Sequence, residues 1–140
     1  MMGLADTGRL QDVFRRESRS LLQYARESAP YATGADRKIL AEVQRIAEEE
    51  STALGGFAEF LNTQRVPIPY LGSFPMVFTD LNFVAIRFLV PKLVTAQRLD
   101  LAALEAGVES LTDPLGQGAV RSLVDLHRRH LKELEGAVSV

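Results

Sequence analysis

Residues 63–83 read TQRVPIPYLGSFPMVFTDLNF, and their reading decides the fold. Three prolines, four aromatic residues and two charges stand here between two long stretches of helical periodicity. Proline has no amide proton to give a helix, so the stretch is a connection rather than an element. Connections inside a compact domain are normally short and polar. This one is long and apolar, and residues 63–78 reach about 50 Å at full extension. A 20-residue helix is only about 30 Å long. The connection is therefore long enough to cross from one end of the molecule to the other, which makes the helices on either side of it parallel. Its Pro, Tyr, Phe and Met side chains then line a groove, and Gly55-Gly56 offers a place for it to lie down. The competing reading is an apolar loop that covers a dimer surface.

Outward from this stretch, apolar residues recur at alternating three- and four-residue steps, the mark of helices with one buried face. The first helix is expected over about 8–29, ended by Pro30, with the inward stripe Leu10, Phe14, Glu17, Leu21 and Tyr24. The second spans 35–62, with Thr33 or Asp36 as its cap and the stripe Ile39, Val43, Ile46, Glu50, Leu54, Phe57 and Leu61. The third covers 80–111, capped by Thr79, with a kink or an opened turn expected at Pro91. Thr112-Asp113-Pro114 is a cap followed by proline in the first turn, so a fourth helix runs over 114–137, its first turn delayed or frayed by Gly116 and Gly118. Strand signals are nearly absent. The expectation is an all-α four-helix bundle, a single domain over 1–140, with the crossover at 63–78 between helices two and three.

Composition narrows the function classes. The chain is 46% hydrophobic and 24% charged, ordinary for a globular protein, and its net charge is −2. An acidic balance gives no general attraction to nucleic acid or anionic membrane, so neither partner is expected. The absence of cysteine excludes a disulfide framework, a thiol nucleophile and a thiolate metal site. The apolar run at 81–94 is about a third too short to span a bilayer and contains Arg87 and Lys92. The opening MMGLADTGRL lacks the apolar core of a signal peptide, and a cytoplasmic location is the expectation. No Ser-His-Asp arrangement or glycine-rich phosphate loop stands out, and catalytic residues stay unassigned. Glu48 and Glu49 point away from the seam in this reading and are solvated.

Three inward positions break the apolar pattern: Glu17, Glu50 and His127. Each lies near the middle of its helix, so antiparallel stacking puts them at one height. An unpaired buried carboxylate costs several kcal/mol, and three ionisable groups facing one another need a shared explanation. His130 lies one turn beyond His127 and leans into the same space, since residues three apart share a face.

With its long crossover and inward carboxylates and histidines at mid-helix, the chain resembles the ferritin-like superfamily over about residues 8–137. The resemblance implies a metal site in which two helices each give a Glu and two give a Glu-x-x-His pair. Glu17 matches the lone glutamate of the first helix and Glu50 that of the second. Ala53 stands where the second helix should carry histidine. The third helix offers Thr95, Gln97 and Arg98 at the right height, with Asp100 and Glu105 one to two turns away. The fourth has His127-x-x-His130 in place of Glu-x-x-His. A full two-metal site is therefore missing. Glu17, Glu50, His127 and His130 remain to hold one divalent ion, since carboxylate and imidazole suit iron, manganese or zinc. The alternative is a metal-free bundle serving assembly or partner binding without catalysis. In it, Glu17 and Glu50 accept hydrogen bonds from His127, His130 or Arg98 around a trapped water. Tyr70, Phe74, Met76 and Phe78 exceed what one groove covers, and a homodimer is expected.

Overall fold

The computed structural model describes residues 2–28 and 30–138. It is all-α: α1 (Leu4–Ser18), α2 (Leu21–Ser28), α3 (Asp36–Thr63), a 3-10 turn at Met76–Leu81, α4 (Ile86–Ser110) and α5 (Pro114–Val138). Among the described residues, five α-helices thus stand where the periodicity suggested four, because the first is interrupted at Arg19-Ser20. The cause is local. Ser20 Oγ accepts the backbone N–H of Gln23 at 3.2 Å and caps a new helix. The Gln23 side chain then donates to the Ala47 carbonyl at 2.9 Å, which ties α2 to α3. Tyr24 does not continue the inward stripe; Leu21, Leu22, Gln23 and Ala25 are buried here.

The helix boundaries follow capping chemistry. Asp113 Oδ1 accepts the N–H groups of Leu115 at 2.8 Å and Gly116 at 3.2 Å, so α5 starts at Pro114 and its early glycines do not delay it. Thr79 caps no helix; its hydroxyl donates to the Met76 carbonyl, and α4 begins only at Ile86. Neither Thr33 nor Asp36 caps α3, whose N-cap Ala35 has no side-chain bond. Helix α4 stays continuous across Pro91. At the end of α3, Arg65 takes φ 59°, with bonds from Val66 N to Leu61 O at 2.8 Å and from Arg65 N to Asn62 O at 3.0 Å. This is the paired-bond helix stop that usually takes glycine, and Val66 packs with Leu61 as its apolar seal.

Two apolar clusters form the core. One joins Leu22 of α2, Ile39 and Val43 near the start of α3, Ile86 and Leu93 near the start of α4, and Leu134 near the end of α5. The other joins Leu10 and Phe14 of α1, Phe57 and Leu61 near the end of α3, Leu104 of α4, and Val120 and Val124 near the start of α5. Helices α3 and α4 therefore run in the same direction, and α5 runs against them.

Residues 64–85 join the end of α3 to the start of α4 by following α1 and α2. Gln11 donates to the Pro67 carbonyl at 2.9 Å, Arg15 to Tyr70 at 3.4 Å, and Arg19 to Ser73 at 2.9 Å. Phe74 and Phe78 then pack on the Tyr24 ring, whose hydroxyl bonds Asn82. The segment does not lie on Gly55-Gly56: both are exposed, and a Cβ on either would meet nothing within 4 Å. Asp6 fastens the other end of α1, accepting Thr112 N, Thr112 Oγ1 and Asp113 N at the α4–α5 turn. No described helix is long and apolar enough to cross a membrane.

Candidate metal centre

Between the two apolar clusters lies a layer of polar side chains drawn from four helices. Glu17 comes from the last turn of α1, Glu50 from the middle of α3, Gln97 and Asp100 from α4, and His127 and His130 from α5. Glu17, Glu50, Gln97, His127 and His130 are all at most 3% exposed. The negative end of a helix dipole disfavours a carboxylate at the position of Glu17. Its partners must therefore come from across the core.

His127 supplies the main one. Its Nδ1 lies 3.0 Å from the Leu123 carbonyl, which can only accept, so Nδ1 carries a proton. That leaves Nε2 facing two carboxylates, Glu17 Oε2 at 2.8 Å and Glu50 Oε1 at 3.5 Å. In a neutral ring this is a lone pair aimed at negative oxygens. Either a proton or a cation must stand between them. Burial alone pulls the His127 pKa down, but the hydrogen bond to Glu17 and the charges of Glu50, Glu17 and Asp100 outweigh it and raise it to about 9. The second oxygen of Glu17, Oε1, is buried with no hydrogen-bond partner among the described residues.

Glu50 is held differently. Its Oε2 accepts Gln97 Nε2 at 2.7 Å and His130 Nδ1 at 2.8 Å. His130 Nε2 lies 3.0 Å from Glu49 Oε1. Burial lowers the His130 pKa, and the hydrogen bonds to Glu50 and Glu49 reverse that to a net rise. Glu49 is not simply solvated as its register suggested. It bonds His130, Arg129 and Arg45, and His130 first among them holds its carboxyl down at about 2. Arg98 does not enter the layer; it bonds Glu135 at the surface, at 3.1 Å.

Asp100 belongs to the layer although its helical height counted against it. Burial, then the charge of Glu17, push its carboxyl up to about 7; His127 pulls the other way, and Glu50 adds to the rise. The signal was present in the sequence: Leu93, Gln97, Asp100 and Leu104 follow three- and four-residue steps along the inner face of α4.

Three of the four residues singled out from sequence thus converge. Glu17, Glu50 and His127 each offer one ligand atom, and these lie within 4.8 Å of one another. His130 is brought to the same layer, but its nitrogens face Glu50 Oε2 and Glu49 Oε1 rather than the point where the three meet. Metal–ligand bonds of about 2.1 Å put donor atoms about 3.0 Å apart at right angles and about 3.4 Å apart at tetrahedral angles. The observed 2.8 and 3.5 Å from His127 Nε2 lie close to those values, and the remaining pair lies within 4.8 Å. No protein-family model, curated protein or solved structure matches the chain.

Proposed function

We propose that the chain is a ferritin-like four-helix bundle whose waist binds one divalent cation through Glu17, Glu50 and His127. In this reading α1 and α2 form one interrupted rod, and residues 64–85 are the crossover. The observation that carries the metal is the aim of His127: its Nδ1 proton is committed to Leu123, and its Nε2 is directed between two buried carboxylates. A divalent ion there with two carboxylates and a neutral imidazole sums to zero charge, the combination least costly to bury. The unpartnered Glu17 Oε1 adds a further donor. Two carboxylates, one imidazole and no thiolate suit iron, manganese or zinc. Three protein donors leave coordination positions for water or a small substrate.

A metal-free bundle is the second reading, and one observation favours it. His127 Nε2 lies 2.8 Å from Glu17 Oε2 and 3.5 Å from Glu50 Oε1, so a proton on that nitrogen would satisfy the same carboxylates without an ion. Equilibrium dialysis of tag-free protein against Fe(II) (without oxygen), Mn(II) and Zn(II), followed by elemental analysis, separates the two. The metal reading requires about one bound equivalent in the unaltered chain. It also requires that Glu17→Gln and His127→Ala each lose that equivalent while keeping the helical circular-dichroism spectrum. If none of the three metals is retained, the layer is structural.

A further inference from the structure

Glu50 is a carboxylate with only one oxygen to spare, and that limits how many ions the layer admits. A carboxylate with both oxygens free chelates one ion or bridges two. Here Oε2 already accepts two hydrogen bonds, from Gln97 Nε2 at 2.7 Å and His130 Nδ1 at 2.8 Å. Oε1 is the atom left to face His127 Nε2, at 3.5 Å.

His130 adds a second restriction. Its ring is fully buried, and its Nε2 is engaged by Glu49 Oε1 at 3.0 Å. Both ring nitrogens are thus taken up by carboxylates on opposite sides of the ring, Nδ1 by Glu50 Oε2 and Nε2 by Glu49 Oε1, and neither is directed at the point where Glu17, Glu50 and His127 meet. The ring stands 2.8 Å from Glu50 Oε2, the atom that a bridged second ion would need.

We infer that His130 and Gln97 are positioning residues, not ligands: they clamp Glu50 as a one-oxygen donor and restrict the site to a single cation. The inference rests on the metal reading above. It assigns His130 the place that a second ion would take between Glu50 and Glu49. Removing the clamp frees Glu50 Oε2 to bridge and exposes Glu49 as a fresh donor.

The test is metal stoichiometry with Mn(II), measured by dialysis and by electron paramagnetic resonance, in the unaltered chain and in the His130→Ala/Gln97→Ala variant. The expected result is a change from about one equivalent to about two, with the isolated-ion spectrum giving way to that of a coupled pair. Loss of all metal from the variant makes His130 or Gln97 a ligand and overturns the clamp. An unchanged single equivalent shows that the clamp does not set capacity, and overturns it too. No metal in the unaltered chain instead overturns the metal reading, and the clamp falls with it. A measurement on the unaltered chain covers the case of a variant that does not fold. Nitrogen NMR of the Zn(II)-loaded protein is expected to show metal on His127 Nε2 and on neither nitrogen of His130. A zinc-bound nitrogen on His130 overturns the proposal.

Discussion

Asp100 and His127 have pKa values displaced in the same direction, with related consequences for the metal-free protein. His127 is raised from 6.5 to about 9, so its folded form keeps a proton that the unfolded chain has lost. Its stabilisation is complete below about pH 6.5 and is lost as pH rises through about 9. Asp100 is raised from 3.8 to about 7, so the folded state resists an ionisation that the unfolded chain undergoes freely. That cost is absent below about pH 3.8, grows through the interval and is complete above about pH 7. Asp100→Asn removes it. The variant should melt roughly 3–8 °C higher than the unaltered protein at pH 8, and the gain should shrink toward zero below pH 4. Thermal melts across that range, in chelator, check the claim; an equal gain at both ends would mean that the carboxyl charge is not the cause. The register of Glu17, Glu50 and His127 was legible in the sequence because ionisable groups interrupt otherwise apolar stripes. Asp100 was not placed, because its height was counted from a helix start at residue 80. With α4 beginning at Ile86, the middle of the helix moves toward Gln97 and Asp100.

At the scale of elements, the interruption after α1 shows what periodicity conceals. Leu10, Phe14, Glu17 and Leu21 keep their three- and four-residue spacing across the break, so the stripe reads as one helix. The contrary signal was four residues long: Ser20 followed by Gln23, half of a capping box. The break turns α2 so that Leu22 and Ala25 face the core and Tyr24 faces the crossover rings. Ser20→Ala removes the oxygen that caps Gln23, at a cost of about 1 kcal/mol. For a chain of this size that is a fall in Tm of about 3 °C. Hydrogen exchange should localise the loss to the first turn of α2, with α5 unaffected. Uniformly faster exchange throughout would assign Ser20 a role in global packing instead. The existence of a long connection after α3 followed from prolines and length. Its path did not, because the hydrogen bonds that guide it come from Gln11, Arg15 and Arg19, exposed or half-buried residues whose side-chain bonds leave no mark on periodicity.

For the molecule as a whole, the path of residues 64–85 decides what surface remains apolar. Phe74 and Phe78, counted with Tyr70 and Met76 as more than one groove covers, are half-buried against Tyr24 within the chain. Tyr70 at 90% and Met76 at 85% exposure remain outside, because the segment meets α1 through backbone carbonyls and turns these side chains away. Further along the same connection, Phe83 is 93% exposed. Burying an aromatic or a methionine side chain fully recovers about 1.5–3 kcal/mol, so three such residues on one connection favour self-association. A two-fold pairing is the usual form. The homodimer reading predicts sedimentation as a dimer at micromolar concentration, with Tyr70→Ser/Met76→Ser/Phe83→Ser shifting the boundary to the monomer. Because none of the three contacts the polar layer, the variant should keep the same metal stoichiometry. A monomer in the unaltered chain would leave this surface to another use, and loss of metal from the triple variant would tie the layer to the assembly.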